Sequence, residues 1–448
     1  MDFNAFKQGV IAKAQAMGIA EYELYYQAGQ STSIEAFQHE INEFSASTEG
    51  GVCFRCIVGG KMGYASTEAL NAAQAEAIVE RAADNATVLE AEEAVFLGEG
   101  GKTYHPLDVV GYDLPKTDEL IAKTLETQQA LYDAHPQVVD GCQTSAFAQS
   151  MEIAIYNSKG LDLHYTNNAT GLVAAAVVSD GQEMVNDYQI KVGKLDAIDN
   201  KALAEKAVQC ALNKMGADTV ATGVYPIVFS PEAMCSLLST YSGIFSSETA
   251  QKGLSKLADK EGTQIASPIV TLIDDPFHEK NPMPINFDAE GSPTACKYVI
   301  ENGTLNTLLY NLKTAAVAGK TTTGNASKAG YDAAVAIRPF TMYLAPGEYT
   351  EEVLLQKAGN GIYIKSLGGL HAGANPITGD FSLQSAGFLI KNGKKTVPVK
   401  SFTVAGNFYD FLKSITAVAS NMELPSATGM TAFGSPSVLV EQLSVAGK

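Results

Sequence analysis

The stretch SLGGLHAGANPITGDF, residues 366–381, is where the sequence gathers the most chemistry. His371 stands among Gly368, Gly369, Gly373 and Gly379, with Asn375-Pro376 marking a turn and Asp380 just beyond. An imidazole near a carboxylate is the raw material of acid–base catalysis, and glycines let a backbone approach a ligand closely. The same residues also serve as loop architecture, because Asp380 is placed to accept backbone N–H bonds and lock the turn. Two readings are open: a demanding structural loop beside a strand, or a loop that contacts a ligand.

Metal chemistry needs three or four converging ligands, commonly two of them on one helical face. The histidines are 39, 105, 135, 164, 278 and 371, and no two lie within twenty residues of each other. His278-Glu279 imitates the start of an HExxH helix, but Pro276, Pro282 and Pro284 forbid a helix there. Cys53 and Cys56 have CxxC spacing inside an alternating strand, where residues three apart point to opposite faces. They read as two buried strand cysteines. The segment AGKTTTGNAS (318–327) lacks the glycine of a phosphate loop, since Thr314 occupies that position. No Ser/His/Asp set is nominated by spacing.

The net charge of −18 repels phosphate backbones, and no basic patch offsets it, which argues against nucleic acid as a partner. The longest apolar run, LVAAAVV (172–178), is strand-length, so no membrane span is expected. The N-terminus lacks a signal-peptide pattern, and the scattered cysteines fit a reducing cytoplasm.

Around these residues the chain reads as α+β. An amphipathic helix over 4–18 precedes short alternating strands at 22–28, 32–38, 40–47, 51–58 and 61–66, with a second helix over 67–87. Helix (117–134), strands (138–190) and helix (199–214) then repeat the order, which predicts an internal duplication of helix–antiparallel sheet–helix units. Residues 88–116 read as a linker. From 224 the pattern changes: VYPIVFS, a helix opening at Pro231, then almost only strand and turn from about 262 to 400, with a last helix over 407–418. The expected domains are 1–105, 106–217 and a β-rich, sandwich- or barrel-like 218–448.

These segments resemble the TldD/PmbA family, the modulator of DNA gyrase family, and more closely its PmbA (TldE) branch. The resemblance spans nearly the whole chain. It rests on ELYYQAGQSTSIEAF, GGVCFRCIVGGKMGYAST, VYPIVFSPEAMCSLLS, LIDDPF, FDAEGSPT, YVIENGTLNTLLYN, TTTGNAS and, above all, ANPITGDFSLQSAGFLIKNGK followed by TVAGN. TldD-type members resemble zinc metalloproteases with an HExxxH helix and a later cysteine ligand. Placed on this chain, the two histidine positions fall on Ser239 and Ile244 and the glutamate position on Thr240. The cysteine position falls near Ser426–Thr428, where PSATG has none. Residues 224–277 contain no histidine, so a shifted alignment does not restore the motif.

The resemblance therefore implies a non-catalytic subunit, itself without cofactor, in a cytoplasmic heterodimer whose TldD-type partner holds zinc and cleaves unfolded or small peptides. Family roles of this kind include leader-peptide removal and antitoxin turnover. His371, Asn375, Thr378 and Asp380 are then expected to line or brace a peptide groove. Two alternatives stay open: a stand-alone homodimeric peptide-binding protein, and a metallopeptidase whose site combines His371 with Asp274, Asp275 or Asp380.

Overall fold

The structure is a computed structural model that describes residues 1–88, 96–107, 113–281, 283–424 and 431–448. Six antiparallel strands form the N-terminal sheet: Glu21–Phe37, Glu40–Val58, Lys61–Thr67, Gln143–Asn157, Asp162–Ser179 and Met184–Val192. The first three run outward one way from the centre and the last three the other way, joined by Glu21–Phe37 pairing with Gln143–Asn157. The helices Phe3–Ala16 and Ala72–Val88 cover one half, and Thr117–Ala134 and Asn200–Leu212 cover the other. The helix–sheet–helix unit thus occurs twice, but the two copies share one sheet.

Side-chain alternation explains the covering. Leu24 and Ile34 are an even number of residues apart and so face the same side of their strand. Leu24 packs with Phe6, Phe54 and Ile78, while Ile34 packs with Leu120, Ala146 and Leu172. Each fully buried large apolar side chain contributes about 1.5–3 kcal/mol, so one helix face per copy is enough to hold its helices down.

Gly223–Phe229, Gly361–Gly368, Asp380–Lys391, Lys394–Asn407 and Val438–Ala446 form a five-stranded barrel. It closes where Thr403 and Val404 pair with Ala446 and Val445. Closure demands close contact at Gly387, where an added Cβ would lie 1.8 Å from the Tyr363 carbonyl oxygen. A second sheet of Leu272–Asp274, Lys297–Glu301, Thr304–Leu305, Thr341–Leu344 and Ala432–Gly434 packs beside it, with the helix Pro231–Tyr241 touching both.

Four expectations change. The runs 22–28 and 32–38 are one strand, as are 40–47 and 51–58, because Gly29, Gly50 and Gly51 are paired within the ladder. An added Cβ at Gly50 would sit 2.8 Å from the Cα of Ala28, so that glycine permits close strand approach. The region 262–400 also holds helices, Leu312–Ala318 and Glu351–Ala358 and the single turn Leu370–Gly373, too short to show a helical period beside strands. The expected helix at 407–418 is the helix Phe408–Ser414 followed by the strand Ile415–Val418, where pairing with Val438–Val440 takes over. Of the linker, 89–95 and 108–112 lie outside the described residues. Its described part is tied down: Leu97 is buried, and the Tyr104 hydroxyl donates to the Gly291 carbonyl at 2.9 Å.

Candidate functional site

The loop that carries His371 leaves the barrel at Gly368, and Gly369, in the left-handed region at φ 71°, opens the single turn Leu370–Gly373. Asn375 organises the second half of the loop. Its side-chain oxygen accepts from the N–H groups of Ile377 and Thr378 at 3.0 and 3.2 Å, an Asx turn. Its own N–H donates to the Asp380 carbonyl at 2.8 Å. Gly379, at φ 84°, then passes so close to Tyr409 that any side chain would collide with the ring.

Asn375 therefore does the locking that the sequence assigned to Asp380. The Asp380 carboxylate instead accepts from the Asn407 side-chain amide at 2.8 Å, and hydrogen bonds from Asn407 and Thr378 hold it below the usual carboxylate range. Thr378 offers its carbonyl to Lys256 at 2.7 Å. Asn375 and Asp380 line an open cleft of about 660 Å³ with Ala374, Pro376, Ile377 and Phe381. His371 and Thr378 are exposed beside it but do not line it.

The helix Pro231–Tyr241 is capped by Ser230, whose hydroxyl accepts from the Ala233 N–H at 3.1 Å. Ser239 is exposed on its last turn, and the Thr240 hydroxyl donates to the Ser236 carbonyl at 2.8 Å. Ile244 lies beyond the helix, in the 3₁₀ turn Ser242–Phe245, and is 1% exposed. These side chains neither converge nor supply nitrogen, thiolate or carboxylate donors, so this helix does not fit a zinc ion. Among the described residues no three His, Cys, Asp or Glu side chains are grouped to hold a metal. Residues 426–428 lie outside the described ones.

His371 is also not brought to Asp274. Asp274 is fully buried, accepting from the Phe340 and Thr341 N–H groups and from Asn325 and Lys297. The helix and the loop do meet at one point. The Tyr241 hydroxyl donates to the Asp380 carbonyl at 2.9 Å while its ring stacks on Phe408 at 4.4 Å.

A second cluster was invisible in the sequence. Glu23 and Arg55 are direct partners on adjacent strands, with the Arg55 Nε 2.7 Å from the Glu23 carboxylate. Asn157, on the strand at the other side of Glu23, donates to it at 3.2 Å. The loop FDAEGSPT (287–294) covers all three. Asp288 accepts from the N–H groups of Glu290, Ser292 and Ala326, and Glu290 accepts from the N–H of Leu312 at 2.8 Å.

Burial pushes Asp288 up to about 6 despite its three N–H donors. Burial and the Asp288 charge push Glu290 up to about 7, opposed by Arg55. The cavity beside Asp288 is about 20 Å³, room for a single water. Asp288 and Glu290 are bonded within the C-terminal part and reach Arg55 and Glu23 of the N-terminal sheet through their charge, and the cavity beside them has no room for a substrate. Nothing local in YELYYQ marks Glu23 as covered.

A duplicated helix–sheet–helix unit followed by a closed barrel and a glycine-bound cleft defines an α+β architecture in three consecutive parts. Family models match all three: PmbA/TldA metallopeptidase domain 1 at residues 22–86, the central domain at 113–215 and the C-terminal domain at 222–447. The chain belongs to the PmbA/TldD metallopeptidase family. It is 24% identical to a metalloprotease PmbA homolog of Haemophilus influenzae over 431 residues, covering 93% of this chain and 90% of the relative. A Thermotoga maritima structure, provisionally assigned as a modulator of a DNA gyrase, superposes with a TM-score of 0.90 at 29% identity and covers 99% of this chain and 100% of its own. TldE from Thermococcus kodakarensis shares the fold at a TM-score of 0.88 and 24% identity, with 99% of both chains covered.

Proposed function

We propose that this chain is a non-catalytic, TldE-type subunit that holds extended peptide for a zinc-bearing, TldD-type partner in the cytoplasm. The observation that carries the reading is the donor chemistry at Ser239, Thr240 and Ile244, two hydroxyls and a buried hydrocarbon where zinc hydrolysis needs two imidazoles and a carboxylate. With no metal ligand of its own there, the chain contributes binding and positioning.

Peptide capture by strand addition needs an open sheet edge. The barrel offers none, because closure pairs every strand on both sides. A long open edge lies in the N-terminal sheet. Lys61–Thr67 pairs only with Val52–Val58, so residues 41–50 of the preceding strand have a partner on one side alone, and 42–49 are exposed. Glu40, Glu43 and Glu49 make this edge acidic, which favours basic extended segments. The cleft at Asn375 and Asp380 is the second expected contact, with His371 and Thr378 at its margin.

The test is a peptidase assay of this chain alone, the partner alone and the mixture, with zinc measured in each. Cleavage is expected in the mixture, with zinc in the partner. Zinc-dependent cleavage by this chain alone sinks the reading. Alanine at His371 and Asp380 is expected to raise KM in the mixture; an unchanged KM removes those two residues from the groove.

A further inference from the structure

A pocket separate from the cleft and the junction lies where the central unit meets the barrel. Its floor is apolar: Phe388, Pro398 and Val399 from the barrel, Val185 and Met184 from the sheet edge. Its volume is about 260 Å³, and an apolar cavity of roughly 150 Å³ already takes up a benzene ring. Its lining carries Lys214, Lys365 and Lys400, ion-paired to Asp187, Glu232 and Glu183 respectively.

The barrel wall is irregular at this place. Lys365 is skipped between the pairs Ile364–Gly387 and Ser366–Ala386, and the register of the next pair of strands breaks between Ser385 and Gly387. Ser401 opposite takes φ 58°, a conformation that costs a non-glycine residue and is held by its surroundings. Strand alternation sends Lys365 to the pocket side while its neighbour Ile364 faces the core, and the two bulges loosen the ladder beside it.

Lys365 bonds Glu232 at 2.6 Å, and Lys214 bonds Asp187 at 3.1 Å and the Asn186 carbonyl at 2.9 Å. An ammonium has three hydrogens to donate, so Glu232 leaves Lys365 with donors to spare. Burial opposes the charge on Lys365, but Glu232 outweighs it and keeps the group cationic.

We propose that this pocket binds an apolar monocarboxylate, its body on Phe388 and Pro398, which are direct partners across the strand pair, and its carboxylate on Lys365 and Lys214. The same chemistry is presented by a free aryl or branched-alkyl acid and by the C-terminal residue of a peptide. The site does not depend on the chain acting with a zinc partner.

The experiment titrates the full chain by calorimetry with 3-phenylpropanoate, its amide, a pentapeptide ending in phenylalanine and that peptide's C-terminal amide. At least one acid is expected to bind at about 1 mM or tighter, and its amide about tenfold or more weaker. Lys365→Met is expected to erase the difference. Cys210 lines the pocket half-buried while Cys296 is exposed elsewhere, so site-resolved alkylation locates the ligand without any variant. A bound acid slows Cys210 and leaves Cys296 unchanged. Binding by the free acid assigns that source, and binding by the peptide alone assigns a C-terminal residue. Equal affinity for acid and amide, no binding of either acid at about 10 mM, or equal protection of both cysteines overturns the proposal.

Discussion

Replacing Glu290 by glutamine tests the buried junction. Glu290 is 4% exposed and shares its loop with Asp288; Arg55 from the facing sheet, itself paired to Glu23, offsets the Glu290 charge, and Lys102 offsets that of Asp288. Its ordinary value of 4.5 rises to about 7 in the fold, so between those pH values the folded chain binds a proton that the unfolded chain releases. The resulting stability is fully present below about pH 4.5 and is lost as pH rises through about 7. Once both states are ionised, the folded state carries a penalty of about 3 kcal/mol.

Glutamine keeps an oxygen for the Leu312 N–H and removes the charge. The difference in denaturant midpoint, variant against wild type, is therefore expected near zero at pH 5. It should grow toward pH 8 to a stabilisation of about 1–3 kcal/mol, reduced by whatever Arg55 loses. Using the difference cancels every other titrating group. If the variant is destabilised alike at pH 5 and pH 8, Glu290 is ionised throughout as a partner of Arg55, and the reasoning fails.

Tyr241→Phe removes the hydroxyl bond to the Asp380 carbonyl. A loss of about 1 kcal/mol is expected, with faster hydrogen exchange at residues 375–381. Gly387→Ala forces a Cβ into the Tyr363 carbonyl, which should cost about 3 kcal/mol and show as a lowered Tm or insoluble chain. Ala46→Pro and Ser47→Pro split the exposed edge strand by parity. One removes an inward N–H and weakens the hairpin. The other removes an outward N–H and abolishes peptide binding at unchanged Tm, and unaltered binding in both variants refutes strand addition there.

Local signals carried much of the architecture. Period-two alternation located the strands, the helix opening at Pro231 is there, and the ENG and KNG turns place Asn302-Gly303 and Asn392-Gly393 at positive φ. Residues 224–277, which have no histidine, supply no imidazole whatever their fold. Cys53 and Cys56 are both buried, and the alternation of a strand sends them to opposite faces.

Tertiary structure decided what depends on distant partners. Gly29 and Gly50 look like turn signals until the neighbouring strand shows them to be points of close approach. Asp380 looked able to lock its loop, but its carboxylate is engaged by Asn407 and the Asn375 side chain accepts the loop's N–H groups instead. Glu23 alternates with apolar residues as any solvent-facing acid does, and it is buried because a loop more than 260 residues later in the chain lies over it. The pocket at Lys365 exists because residues between 184 and 217 of the central unit lie against the barrel wall between 365 and 400. Periodicity reports which side of an element is apolar; which surface covers it is set by long-range pairing, and no short window of residues contains that.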